Sequence, residues 1–473
     1  MTARMSWLQG IVVIGVMLAG TEARAQFTPV AGFDEQLFPS YLIATASLKA
    51  DKTSKDPSRL GDPMGLLGVD LMAPEANTPV RVTIECDDIM EPSVFSGMLP
   101  EAGASYRITP KVKYRYGNLA AWEQAEPVTV TFRVQLGRDV EEEQAVTCTM
   151  RSINDCPFAF RNGDEAIDAS FTFAAYVNEQ HPFVDKLLRE ALDRDVVRKF
   201  TGYQTGRQED VLLQAYALWD LLVARDIRYS SITATAASSD SVACQHVRLI
   251  EDSINNSQAN CVDGSVVWVS MLRKIGIDAF LVVTADHCYA GFYADPQRKT
   301  IYAVETTLLG ADLTEAEVTV TRKIGKAIPE ELRYIETFPS FVAALEVGTK
   351  TFDAQVRKRK ENDPQVAVVI DIAAVRRAGV LPIAFRNDVE FVGYDFRITD
   401  DTSSDESATD EEMSDEGMTA EETAEAPAAD AAEQPVEEAA EEPAPPAPAQ
   451  KPARKPARKP SLLDEVGSGV KRK

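Results

Sequence analysis

The chain has 473 residues, of which 74 are acidic and 49 are basic, so its formal net charge at pH 7 is −25. This length allows two or three domains. The acidic balance disfavours nucleic acid as a partner, because a phosphate backbone attracts proteins of the opposite charge.

Residues 1–25 have the pattern of a secretory signal peptide. Arg4 supplies the positive charge, residues 11–18 form an apolar segment, and residues 23–25 (Ala-Arg-Ala) match a small-x-small cleavage site. A membrane anchor is the alternative, but the uninterrupted apolar run falls well short of the ~20 residues that span a bilayer. We therefore predict a mature chain from Gln26 that is periplasmic or secreted and has no transmembrane segment.

Residues 26–178 show the alternation of apolar and polar residues that is typical of half-buried strands. It is present at residues 80–86, 112–116 and 128–134, between clusters of Pro, Gly and Asn. This pattern predicts an all-β, sandwich-like domain. An accessory role is the simplest interpretation, and a face that binds substrate or a wall polymer is the alternative.

Two of the six cysteines, Cys148 and Cys156, flank a six-residue segment that resembles a turn. In an exported protein such spacing permits a local disulfide. The disulfide is one possibility, and two free thiols are the other.

The helical part of the chain begins near residue 181. Apolar residues follow helical spacing over 183–192 and again over 209–225, where Trp219 is expected to lie in the core. Cys261 then precedes another apolar run with helical spacing, which Gly276 is expected to end. A thiol at a helix N-terminus lies near the positive end of the helix dipole, which favours the thiolate form.

Two short apolar runs follow this helix and are predicted to be buried strands. His287 comes just after the first, residues 280–283, and Glu305 comes directly after the second, residues 301–304. A thiol, an imidazole and a carboxylate placed in this way can act as nucleophile, base and orienting group. Cys288 lies next to His287 and is expected to point into the core.

At these residues the chain resembles the transglutaminase-like superfamily, which shares the papain-like core of cysteine enzymes. The family pattern is a Cys that opens a helix ending in an Arg-x-x-Gly-Ile-like turn, then a strand, a His, and an acid on the next strand. Cys261, residues 273–277, His287 and Glu305 match it in that order. The resemblance covers residues 210–309. It is closer to a bacterial exported subgroup with an Asn-Cys-Val-Asp-Gly-Ser block and a Glu-Thr-Thr block.

One departure from the family pattern concerns the acid. The family usually has Asp where this chain has Glu305, whose longer side chain requires a shifted backbone.

The resemblance implies a thiol enzyme that acts on amide bonds of a protein or peptide substrate, without a cofactor or a metal. Cys261 would form a thioester, His287 would transfer the proton, and Glu305 would orient the imidazole. Gln245 is the candidate oxyanion donor beside the backbone N–H of Cys261; a polar residue that caps or bridges two helices is its alternative role. A peptidase or amidase is the main interpretation, amine transfer is another, and a non-catalytic binding or scaffold protein is the alternative.

The remaining residues divide into two segments. Residues 313–398 are predicted to be an insertion followed by closing strands, with a helix at 338–345 and strands at 366–372 and 389–398. Residues 399–473 are of low complexity and are predicted to be disordered.

The predicted tail has two blocks of opposite charge. Residues 400–442 carry 18 acidic side chains and no basic ones, whereas residues 451–473 carry eight basic and two acidic side chains. The basic end is a candidate contact for an anionic partner of the cell envelope. The predicted architecture is thus α+β: a sandwich-like domain (26–178), a papain-like transglutaminase core (179–312), an insertion with closing strands (313–398) and a disordered tail (399–473).

Overall fold

The computed structural model describes most of the chain between residues 27 and 396. The described ranges are 27–48, 56–162, 165–231, 237–284, 286–311, 321–358 and 367–396. The predicted signal peptide and tail lie outside these residues, as does part of the predicted insertion. Within them the fold is α+β, as the sequence predicts.

The N-terminal part is built from strands, with two short helices among them. The strands are β1 (Phe27–Ala31), β2 (Gln36–Leu37), β3 (Arg59–Gly61), β4 (Leu67–Met72), β5 (Thr78–Glu85), β6 (Met90–Glu91), β7 (Ser93–Leu99), β8 (Ser105–Thr109), β9 (Lys113–Tyr114), β10 (Glu126–Leu136) and β11 (Glu142–Met150). The helices are α1 (Pro39–Thr45) and α2 (Tyr116–Ala120).

Most of these strands form two sheets that share one core. One sheet has the order β1-β4-β8-β3 and the other β2-β11-β10-β5-β7. Val69 of the first sheet and Val82 and Phe132 of the second lie in the same buried cluster. The alternation at 80–86 and 128–134 therefore predicted strands correctly. At 112–116 the prediction of a continuous strand is wrong, since only β9 is extended and Tyr116 opens α2.

A smaller sheet crosses the predicted domain boundary at residue 178. It contains β12 (Asp155–Asn162), β13 (Glu165–Asp168) and, after the short parallel strand β14 (Arg228–Tyr229), β15 (Val242–His246). β12 lies between the other two, and Cys156 pairs with Gln245 across β12 and β15. The all-β part and the helical part are thus joined by backbone hydrogen bonds.

The second half of the chain places helices around a four-stranded antiparallel sheet. The short strand β16 (Gln258–Ala259) pairs with β14 and lies outside this sheet. The sheet itself contains β17 (Ala279–Val283), β18 (Cys288–Tyr293), β19 (Ile301–Val304) and β20 (Val368–Asp371), in the order β19-β18-β17-β20. The helices are α3 (Pro182–Asp193), α4 (Gln208–Ala224), α5 (Ile250–Asn255), α6 (Cys261–Lys274), α7 (Arg322–Ala327), α8 (Phe338–Phe352) and α9 (Ile372–Ala378).

Helix α6 packs against this sheet through its apolar side. Trp268 is fully buried, and its ring contacts that of Phe292 on β18 at a centroid distance of 5.5 Å. Gly276 follows the helix with φ of 79°, the left-handed conformation that the sequence predicts for the residue ending it. Trp219 is also buried, and its indole N–H donates to Ser340 Oγ at 2.9 Å. Both tryptophans are therefore core residues.

Of the three elements that were predicted after β19, two are present and one is not. The predicted helix at 338–345 is α8, and the predicted strand at 366–372 is β20 at an edge of the sheet. The predicted strand at 389–398 is wrong, because residues 389–396 form no strand. They pack against α3 and α4 instead, where the buried guanidinium of Arg225 donates to the Val392 carbonyl and lies over the ring of Tyr394.

The six cysteines are all free, so the possible disulfide between Cys148 and Cys156 is not formed. Cys148 pairs with Val128 in the five-stranded sheet, whereas Cys156 lies on β12 in another sheet. Both thiols are buried, and burial raises the pKa of Cys148 to about 12. Cys288 is 1% exposed, and burial raises the pKa of its thiol well above the usual range, as expected for a core residue.

In the part of the chain that the structure describes, no helix has both the length and the apolar character needed to span a membrane.

Candidate active site

The N-terminus of α6 is fixed by a reciprocal pair of side-chain hydrogen bonds. Asn260 Oδ1 accepts from the backbone N–H groups of Val262 at 2.8 Å and Asp263 at 2.9 Å. Asp263 Oδ2 in turn accepts from the backbone N–H of Asn260 at 2.9 Å. This capping box makes Cys261 the first residue of the helix, where the helix dipole favours negative charge.

A buried ion pair supports this cap. Arg248 donates to Asp263 twice, from Nη1 to Oδ2 at 2.7 Å and from its backbone N–H to Oδ1 at 2.8 Å. Burial raises the pKa of Asp263, and the hydrogen bonds from Asn260 and Arg248 oppose that rise. The spacing Asn260-x-x-Asp263 was the signal that could have identified the cap.

His287 lies in the turn that joins β17 to β18. Its carbonyl accepts from the backbone N–H of Thr284 at 2.8 Å, and its ring stacks near that of Tyr289 at a centroid distance of 6.0 Å. The His287 Nε2 atom lies 2.8 Å from Glu305 Oε2. About a third of the imidazole side chain remains exposed, so the ring is open to a ligand.

Glu305 directly follows β19 and is buried. Its second carboxylate oxygen, Oε1, accepts from the backbone N–H of Thr307 at 3.1 Å and from the Thr307 hydroxyl at 2.6 Å. Burial raises the pKa of Glu305, but the hydrogen bonds of His287 and Thr307 outweigh it and lower the pKa below its usual value. The carboxylate is therefore ionised at neutral pH.

The thiol and the carboxylate both act on the imidazole. A hydrogen bond with Cys261 and then one with Glu305 raise the pKa of His287 to about 10, against the opposing effect of burial. Because Glu305 occupies Nε2, Nδ1 is the ring nitrogen left for the thiol. The structure thus brings together the three side chains that the sequence selected, and the imidazole is protonated at neutral pH.

The backbone of Cys261 is also held from the side of Glu305. Ser265 Oγ donates to the Cys261 carbonyl at 2.7 Å, and the hydroxyls of Ser265 and Thr306 lie 2.9 Å apart. A Cβ atom at Gly264 would lie only 3.3 Å from the Cβ of Thr306. Gly264 therefore permits the close approach of α6 to Thr306.

Gln245 lies beside the cap of α6. Its Nε2 donates to the His246 carbonyl at 2.9 Å, and the same oxygen accepts from Asn260 Nδ2 at 3.3 Å. Gln245 thus shares this acceptor with Asn260, the N-cap residue of α6, and its oxyanion role stays a prediction.

Two other titratable residues near this region do not join the group around His287. Burial lowers the pKa of His246, whose main electrostatic neighbours are Asp155 and Asp263. Asp286 is exposed, and it accepts from the Thr284 hydroxyl at 3.1 Å. Asp286 is therefore an exposed loop residue.

No protein-family model, curated protein or solved structure matches this chain. Over the described ranges, no group of three or more His, Cys, Asp or Glu side chains is arranged to hold a metal ion.

Proposed function

We propose that this protein is a transglutaminase-like thiol enzyme that transfers the acyl group of an amide bond. The observation that carries the proposal is the position of His287, whose Nε2 lies 2.8 Å from Glu305 Oε2 and whose pKa is raised by its interaction with the Cys261 thiol. A protonated imidazole beside a thiol at a helix N-terminus stabilises the thiolate, which is the reactive form.

The first chemical step is attack of the Cys261 sulfur on the substrate carbonyl. The carbon–sulfur bond forms as the carbonyl π bond opens, and the oxygen takes the negative charge. The cap satisfies the N–H groups of Val262 and Asp263 but not that of Cys261. The Cys261 N–H is therefore a donor for this oxyanion, and we assign the second N–H of the Gln245 amide as a further donor.

Collapse of this intermediate breaks the C–N bond. The imidazolium of His287 gives its proton to the leaving amine, and a thioester remains on Cys261. Neutral His287 then removes a proton from the acceptor that attacks the thioester. The C–S bond breaks as the new acyl bond forms, and the Cys261 thiolate and the His287 imidazolium are restored. Water as acceptor gives peptidase or amidase activity, which is the reaction we favour, whereas an amine gives transfer.

The arrangement of elements supports a papain-like core. Cys261 opens helix α6, which packs on the antiparallel sheet β19-β18-β17-β20, and His287 and Glu305 lie at one end of adjacent strands β18 and β19. The nucleophile is thus on the helix, and the base and the acid are at one end of the sheet. This matches the pattern of the family that the sequence resembles.

We further propose that the protein acts outside the cytoplasm on protein or peptide substrates. Residues 1–25 have the features of a signal peptide, and the basic block at 451–473 suits an anionic partner of the cell envelope.

The activity is tested with purified mature protein, a mixed peptide pool and a primary amine. Hydrolysis or amine incorporation that is present in the wild type and in Cys288→Ala, but absent in Cys261→Ala, supports the enzyme. Equal behaviour of Cys261→Ala and the wild type would instead support a binding or scaffold protein.

A further inference from the structure

The two oxygens of the Glu305 carboxylate have separate partners. Oε2 contacts His287, whereas Oε1 accepts both the hydroxyl and the backbone N–H of Thr307. The Thr307 hydroxyl is the closer of the two donors to Oε1, at 2.6 Å compared with 3.1 Å.

The contacts of Thr307 with Oε1 restrict the Glu305 side chain. Glu has one more rotatable bond than Asp, so holding its carboxylate in one place costs more side-chain entropy. The backbone N–H of Glu305 donates to Ala344 on α8 at 3.0 Å, which fixes the start of the side chain. Thr307 fixes its far end.

We propose that Thr307 is a positioning residue, which orients Glu305 so that its other oxygen meets His287. This inference rests on the proposed function, because it assigns Thr307 a role through the catalytic acid. Thr307 needs no contact with substrate for this role.

The neighbouring threonine connects the same turn to the nucleophile. The Thr306 hydroxyl lies 2.9 Å from that of Ser265 and 3.3 Å from the carbonyl of Cys261. Successive residues of one turn therefore contact the acid and the residue that carries the thiol. This places the turn at residues 305–307 as the element that sets the distance between the two ends of the triad.

The test measures the protonation of His287 directly. The chain has three histidines, so NMR titration of their ring signals, assigned with His287→Asn, resolves this residue. Cys261 and Glu305 are the titratable groups bonded to it, Tyr289 stacks on it, and Asp286 is its exposed neighbour. Thr307→Val removes the hydroxyl, and Thr307→Ser retains it.

We expect Thr307→Val to lower the titration midpoint of His287 by roughly one unit or more, because a mobile carboxylate stabilises the imidazolium less. Thr307→Ser should keep the wild-type midpoint. Thr284→Val is the matched control, since that hydroxyl lies 3.2 Å from the His287 carbonyl but has no contact through Glu305. If Thr307→Val does not fold, Thr307→Ala is compared with Thr307→Ser.

The outcomes separate this inference from the proposed function. A high wild-type midpoint that Thr307→Val leaves unchanged, or that Thr284→Val lowers equally, would overturn the positioning role alone. A midpoint that moves as expected, in a protein without Cys261-dependent chemistry, would overturn the function alone. A wild-type midpoint near 6.5 would overturn both.

Discussion

The His287 Nε2 atom lies 2.8 Å from the Glu305 Oε2 atom, although His287 precedes β18 and Glu305 follows β19. β18 and β19 are antiparallel, with Ala290 opposite Val304. The residue before β18 and the residue after β19 therefore lie at the same end of the sheet. This register is what brings the imidazole and the carboxylate together.

The role of Glu305 can be separated from a general effect of negative charge. We expect Glu305→Gln to slow alkylation of Cys261 at neutral pH, because the imidazolium that stabilises the thiolate loses the carboxylate hydrogen-bonded to its Nε2. The rate is measured with a small alkylating reagent under pseudo-first-order conditions. Asp286→Asn removes an exposed charge next to His287 and is the matched control. Equal rates in the wild type and Glu305→Gln would contradict this role.

The pair of His287 and Glu305 also predicts how stability depends on pH. The pKa of His287 is raised from 6.5 to about 10, so its contribution is complete below pH 6.5 and is lost as the pH rises towards 10. The pKa of Glu305 is lowered, so its contribution is present above its ordinary value of 4.5 and is lost in more acidic solution.

We therefore expect the wild type to exceed His287→Asn in Tm by a few °C near pH 6 and by less near pH 10. Thermal unfolding of both proteins in matched buffers measures the difference. A Tm difference that grows with rising pH would show that the imidazolium is not stabilised in the folded state.

The cap of α6 predicts a structural cost at Asp263. Asp263→Ala leaves the Arg248 guanidinium, which is mostly buried, without its carboxylate and removes one arm of the capping box. We expect the free energy of unfolding to fall by about 3 kcal/mol. Chemical denaturation measures it, with the exposed Asp286→Ala as control. A change as small as that of the control would mean that the pair adds little to the fold.

The sequence predicted the elements around Cys261 because their signals are local. The apolar spacing of α6, the left-handed Gly276 at its end and the short apolar runs of β17 and β19 each depend on neighbouring residues. The order of Cys261, His287 and Glu305 along these elements was then enough to place them together.

What the sequence did not reveal depends on distant partners. β12 pairs with β15, with Asp155 opposite His246. These strands are far apart in the sequence, and no local pattern predicts that they pair. The alternation at residues 389–396 resembled a strand, but its side chains pack on helices around the buried Arg225. Thr307 was not singled out, because its role depends on which oxygen of Glu305 meets His287.

The last described residues predict where the chain can be shortened. Truncation after residue 398 should leave Tm and alkylation of Cys261 unchanged, because the blocks beyond it have a composition that cannot bury a core. It should also abolish retention on an anionic envelope fraction, an interaction that weakens at high salt.

Truncation after residue 388 is the informative comparison. It removes the contacts of Val392 and Tyr394 with the buried Arg225, so this protein should unfold at lower temperature. Aggregation or lost thiol reactivity in the protein that ends at residue 398 would contradict the boundary. Equal Tm values for the proteins that end at residues 388 and 398 would also contradict it.

The most direct test of the Cys261–His287–Glu305 unit is a labelling experiment with a peptide-like electrophilic probe on the purified protein. Mass spectrometry locates the adduct and measures its rate of formation at neutral pH. We predict one adduct per chain, on Cys261, with a rate that falls strongly in His287→Asn and stays unchanged in Cys288→Ala. An adduct on another cysteine, or equal rates in the wild type and His287→Asn, would contradict the proposed enzyme.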